Sequence, residues 1–324
     1  AGGHGVACLL LGTTNSAGMS ISDQKWGGFW HYWAGFLQDQ WKLNPRLTLT
    51  YGVRWEYTRP RTEKWNRQSV FDLSTLSLRF AGENGASKEL FSTRIANFAP
   101  RVGLAWTPKG DNKTSVRAAF GLYYVPINPI GGANEFTRGF TASKTFQTTD
   151  GGITFPMLLS EAFPVITLSR AVGPTDTVST IGPDYPLPYM NEWTLSLQHE
   201  IFKKTLVEAS YIGTKGTRLQ VSSRNLNQVP VALLGPGNAQ TRRPYPAFGN
   251  INYPYEPMAD SIFHGMQIKM EHRFSAGLNL LGWYALQKSI DNSSGMKDIR
   301  NVGTVGIQNH YNLRAERSLS TFDR

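Results

Sequence analysis

Between Leu47 and Tyr57 the chain alternates without a slip: Leu47, Leu49, Tyr51, Val53, Trp55 and Tyr57 are separated by Thr48, Thr50, Gly52, Arg54 and Glu56. Successive side chains of a β-strand point to opposite faces, so this segment has one apolar face and one polar, charged face. Its length is also about that of a tilted strand crossing a bilayer, roughly 9–11 residues. One such segment fits any half-buried strand; the recurrence of the pattern is the constraint. Trp193–Ile201 sets Trp193, Leu195, Leu197 and Ile201 against Thr194, Ser196, Gln198 and Glu200. Val207–Tyr211 repeats it with Glu208 on the polar side, and Met266–Phe274 aligns Gln267, Lys269, Glu271 and Arg273. In Val116–Tyr124, Ala118, Phe120, Leu122 and Tyr124 oppose Arg117, Ala119, Gly121 and Tyr123. Small and charged residues thus share the polar faces, which suits a water-filled or plugged interior better than a packed core.

The connections point the same way. Leu43–Arg46, Pro108–Lys113, Phe202–Thr205 and Phe274–Leu278 read as tight turns. Between them lie long stretches rich in Gly, Pro, Asn, Ser and Thr, at about 58–97, 126–188, 215–262 and 291–318. Loops this long are unusual in compact soluble domains. Short turns at one end and long loops at the other are the layout of an outer-membrane barrel, whereas a β-sandwich spreads its loop lengths more evenly. The sequence therefore predicts an all-β fold: an antiparallel transmembrane β-barrel portion with short periplasmic turns and long extracellular loops. Eight strands are expected, at about 28–42, 47–59, 98–107, 114–125, 189–202, 205–214, 263–275 and 278–290, with weaker ones in 5–25 and 70–80.

Parity assigns the faces. Leu49, Val53, Trp55, Leu195, Leu197, Met266 and Ile268 are expected to project outward. Arg54, Glu56, Arg117, Gln198, Glu200, Glu208, Lys269, Glu271 and Arg273 are expected to face the lumen, because a one-residue slip would turn every charge into lipid. The cluster Trp26, Phe29, Trp30, Tyr32, Trp33, Phe36 and Trp41 is expected to contribute to an aromatic girdle. No run of about 18 apolar residues exists, so no transmembrane helix can be drawn. The mean hydropathy of −0.32 is compatible with a barrel, since half of each strand and all the loops are polar.

The single cysteine, Cys8, excludes an intrachain disulfide and a thiolate metal cluster. A net charge of +10 raises the question of nucleic acid, but Lys and Arg are scattered and no recognised motif gathers them, so no nucleic-acid partner is expected. The six histidines, His4, His31, His199, His264, His272 and His310, are dispersed without ligand spacing. Gly213–Thr217 lacks the Walker spacing and reads as a loop start; Asp291–Gly295 reads as a turn. Glu192, Glu200 and Glu208 read as lumenal charge rather than as acid–base pairs. No catalytic residue, metal site or cofactor is expected, and the chain does not read as an enzyme.

The segment Phe36–Glu56, with its Gln-Asp-Gln-Trp-Lys run followed by Leu-Thr-Leu-Thr-Tyr-Gly-Val-Arg-Trp-Glu, resembles a hairpin of TonB-dependent outer-membrane transporters. More narrowly, it resembles the Oar-like group abundant in acidobacteria. Asn97–Trp106, Val116–Tyr124, Pro188–Gln198, Glu208–Leu219, Tyr284–Asn292 and Tyr311–Arg324 continue the likeness in order, over about 30 to 324. Gln40 stands where the family usually has a second Asp. The resemblance implies a barrel of roughly 22 strands around a plug, residence in the outer membrane of a Gram-negative bacterium, and import of a scarce nutrient such as a siderophore, carbohydrate or peptide-like ligand. It implies three partners: outer-membrane lipid, a plug domain of the same full-length chain, and the TonB energising complex.

Nothing in the chain resembles the plug, the TonB box or an export signal, so residues 1–324 are expected to be a partial outer-membrane barrel domain lacking its closing strands. A passive porin or structural outer-membrane protein would use the same architecture. A soluble β-rich carbohydrate-binding or hydrolytic domain is a third class, which would not need detergent. Ligand contacts are expected in loops 126–188 and 215–262, with Arg242, Arg243, Tyr245, Tyr253 and Tyr255 combining cationic and stacking side chains in one loop.

Overall fold

The computed structural model describes residues 5–14, 16–22, 25–110, 113–125, 136–148, 154–161, 163–174, 176–221, 223–274, 277–293, 307–321 and 323. Eight long strands dominate: β1 Tyr32–Asn44, β2 Leu47–Thr58, β3 Asn97–Trp106, β4 Thr114–Tyr124, β5 Tyr189–Phe202, β6 Thr205–Gln220, β7 Pro257–Arg273 and β8 Asn279–Asp291. With the short β9, Ser318–Leu319, they form one nine-stranded sheet in sequence order. Every neighbouring pair is antiparallel. Short turns join β1 to β2, β3 to β4, β5 to β6 and β7 to β8, and long loops make the other connections. This is the expected meander, with no crossover.

The register makes the two faces continuous across strands. One row runs Trp41, Leu49, Leu104, Ala118, Leu195, Tyr211, Met266, Leu286. On the opposite face a row runs Thr48, Ala105, Arg117, Ser196, Ser210, Gln267, Ala285. The apolar side is the wetter one: Leu195 and Leu197 are 52% and 48% exposed. On the same strand Ser196, Gln198 and Glu200 are only partly exposed. In water that arrangement would be unfavourable, at about 25 cal/mol per Å² of apolar surface left uncovered. In hydrocarbon it is the expected one.

Three sequence expectations need correction. Strands β6 and β7 run beyond 214 and begin before 263, so Gly213–Thr217 lies inside β6 rather than opening a loop. The ladder survives there through register shifts around Leu219, next to Arg218, whose φ is +56°. Gly213 makes room for the Trp193 ring, which lies across it: a Cβ would sit 2.2 Å from the Trp193 Cε2 atom and push the ring away. The weaker strands expected in 5–25 and 70–80 do not join the sheet. Gly5–Leu10 is a short helix, Ser16–Ser22 pairs with Thr141–Gln147, and Ser69–Asp72 pairs with Ser77–Phe80. The turn read at Asp291–Gly295 lies partly outside the described residues, as does His4.

The hydrophobic core belongs to the loops. One buried cluster joins Val70, Ala81, Leu90, Phe136, Ile181, Tyr185 and Leu187; a second joins Phe71, Val178 and Ile251. Segments far apart in sequence are stitched together by a three-stranded patch of Ser223–Asn225, Ile251–Pro254 and Val178–Ser179. Ser92–Thr93 lies parallel to Asp184–Tyr185. The long loops therefore fold into a cap at one end of the sheet.

Candidate functional site

The polar face of the sheet is the first half of the site. Arg54 donates from Nε to Glu56 Oε1 at 2.5 Å and from a terminal nitrogen to Tyr32 Oη at 3.1 Å. Glu56 is buried beside Asn97, its register partner on β3. Glu208 accepts a hydrogen bond from Ser196 Oγ at 2.8 Å and stands opposite Gln198 on one side and Lys269 on the other. Glu271 pairs with Arg273 at 2.9 Å, and Glu200 caps the β5–β6 turn by accepting from the Lys204 amide. Arg117 shares this face, opposite Ala105 and Ser196. All nine residues expected on the polar side lie on one face, and alternation brings them together.

Sequence reading missed a basin on that face. Gly52, Gly103, Ala119 and Gly121 form a floor of about 220 Å³ between Gln38, Arg101, Tyr123 and Glu192. The Arg101 guanidinium lies 4.7 Å from the Tyr123 ring centroid. Gly52 and Gly121 flank Arg101 in register, and both are tight: a Cβ at Gly52 would meet the Leu37 carbonyl oxygen at 2.7 Å. The signal was available as glycine at polar parity on β2, β3 and β4.

The cap is the second half. The Arg242 guanidinium donates to the carbonyl oxygens of Leu233, Gly235 and Gly237, and that of Arg243 to the carbonyl oxygens of Asn227 and Gly249 and to Asn250 Oδ1. Asn227, fully buried, donates to the carbonyls of Tyr245, Phe248 and Gly249 and accepts from the Tyr245 amide. Tyr245 packs on the second core cluster; Tyr253 and Tyr255 pack on the first. The Tyr253 hydroxyl accepts from the Gly182 amide, and the Tyr255 carbonyl accepts from the Tyr185 hydroxyl. These five side chains thus build the loop that carries them. Burial pushes the Tyr185 and Tyr253 phenols above their ordinary range, so both stay neutral. His310 docks on Gln228 through Nδ1 at 2.6 Å; burial and then Arg224 hold its imidazole below 6.5.

The largest unforeseen constellation is at Glu63. Its carboxylate, with a side chain 0% exposed, accepts from the amides of Gly27, Trp65 and Arg67 and pairs with the Arg67 guanidinium at 3.0 Å. Arg61 lies over the Trp26 ring and Arg67 over Trp65. Among the described residues, no group of three His, Cys, Asp or Glu could hold a metal ion, and no helix is long and apolar enough to cross a membrane.

Comparison with known proteins gives the architecture a family. A model of the outer membrane beta barrel domain matches residues 1–324. The outer membrane transporter YddB from Escherichia coli is similar in structure, with a TM-score of 0.38 at 14% sequence identity. The likeness covers 86% of this chain and 32% of that one, so the chain spans about a third of that transporter's length. No curated protein matches the sequence.

Proposed function

The chain belongs to the outer membrane beta barrel domain family, and on that premise we propose that it supplies wall and cap to a TonB-dependent receptor importing a scarce nutrient. The apolar face meets outer-membrane lipid. The polar face, with Arg54, Glu56, Arg117, Gln198, Glu200, Glu208, Lys269, Glu271 and Arg273, lines the lumen. The loop shaped by Arg242, Arg243, Tyr245, Tyr253 and Tyr255 meets solute first. Residues 1–324 are one part of a larger barrel, and the role is transport rather than catalysis.

The observation that carries a plugged receptor over an open porin is the last long strand. On β8 the polar-parity row carries an apolar stretch, Leu281, Trp283 and Ala285 opposite Glu271, Lys269 and Gln267, between Asn279 at one end and Gln287, Ser289 and Asp291 at the other. Leu281 and Trp283 are 55% and 69% exposed, and on β1 Phe36 stands at polar parity opposite Arg54, 75% exposed. A water-filled lumen would wet these side chains, whereas a plug packed against the wall would cover them.

The test is uptake by cells expressing the full-length protein, with and without a functional TonB complex. Solute accumulation that stops when TonB is removed supports the receptor. Accumulation unchanged without TonB leaves the passive porin.

A further inference from the structure

Where the β1–β2 hairpin meets the cap, Thr58 and Gln68 line a cavity of about 20 Å³ together with Trp30, Leu90, Phe136 and Ile181. Both polar residues are deeply buried, Thr58 at 4% and Gln68 at 3% exposure. Their backbones are tied: the Thr58 carbonyl accepts from Thr93 Oγ1 at 2.5 Å, and the Gln68 carbonyl accepts from the Ala81 amide at 3.0 Å. Their side chains are not. Thr58 Oγ1 and Gln68 Nε2 have no hydrogen-bond partner among the described residues. Two buried polar atoms on one small cavity are costly to leave unpaired, and native proteins satisfy such groups with protein or with ordered water.

We propose that this cavity is a hydration site whose resident water accepts a hydrogen bond from Gln68 Nε2 and bonds the Thr58 hydroxyl. Volume decides the class of ligand. A water needs roughly 10–15 Å³ of such space, and a sugar or a carboxylate needs several times more. Charge agrees: the amide and the hydroxyl are both neutral, and the guanidinium groups of Arg59 and Arg61 in the same lining disfavour a cation. The water would join the end of β2 to the 59–96 loop, on a lining shared with the 125–188 loop through Phe136 and Ile181. It would thereby fasten the cap to the wall.

A near-atomic-resolution crystal structure of the full-length protein, with a double-mutant cycle using Thr58→Val and Gln68→Met, tests it. Both replacements keep the shape of the side chain. The expected result is a density peak within hydrogen-bond distance of both side chains. Each single variant lowers the thermal midpoint, and the double variant loses less than the sum, because either change forfeits the same water. A dry cavity, a Gln68 amide turned to a protein acceptor, or strictly additive losses would overturn the hydration site.

Discussion

At the scale of single residues, Glu63 ties the segment around Gly27 to the one around Trp65 and Arg67 through one buried carboxylate. Desolvation alone would raise its carboxyl, but the Arg67 guanidinium and the amides of Arg67, Gly27 and Trp65 outweigh burial and hold it below its ordinary 4.5. A depressed folded pKa means that the ionised form stabilises the fold. That contribution is fully present above the unfolded value and disappears as pH falls through the lowered folded one. Amide hydrogen exchange across pH, referenced to intrinsic exchange rates, should therefore find segment 25–68 protected at neutral pH and opened only in acid, below about 4.5. Glu63→Gln should open it at neutral pH, with a loss of about 3–5 kcal/mol, because Arg67 is left buried without its counter-charge. Protection unchanged in this variant would show that the segment is held by its aromatic contacts instead. His199 and His272 both stand at apolar parity on the sheet. Each bonds a threonine hydroxyl, Thr114 and Thr205, and the His272 ring also meets Phe274 edge-on.

At the scale of elements, the decisive property is which face each strand turns to lipid. Leu195 and Gln198 lie on opposite faces of β5, three residues apart. Leu195→Arg should lower the urea stability of the full-length barrel in bilayers by about 2–4 kcal/mol. Gln198→Arg should be nearly neutral, because it faces Glu208 across the ladder. Reversed sensitivities would place the charged face against lipid and sink the assignment. Charged residues also interrupt the apolar parity: Lys215 on β6, Lys288 on β8, and Asp39 on β1, which stands opposite Tyr51, whose hydroxyl donates to it at 2.9 Å.

At the scale of the molecule, the sheet is open. Among the described residues β1 pairs only with β2, and β8 pairs beyond β7 only through Ile290 and Asp291 with β9. Backbone groups left unpaired in hydrocarbon cost several kcal/mol each, which side-chain packing cannot offset over a whole strand. Residues 1–324 expressed alone should therefore run at one gel position whether or not they are boiled, and should stay open to protease in detergent. A heat-modifiable, protease-resistant band would show that this sheet closes without further strands.

The eight long strands, their faces and their short turns were legible from residue order alone. Alternation with period two is a local property, and each turn is written in a few adjacent residues such as Asn44-Pro45-Arg46. The cap was not legible. Phe71, Val178 and Ile251 meet across more than half of the chain, and no local pattern marks them as one core. The same holds for Arg243 and Tyr245. Composition made them a surface for ligands, and only the tertiary structure shows Asn227 and the core using them to shape the loop. Glycine at 213 read as a break in the strand because its partner, Trp193, lies on another strand. What the sequence determined by itself was the wall, where each residue's environment follows from its neighbours; the cap, whose contacts span a hundred residues or more, only tertiary packing could decide.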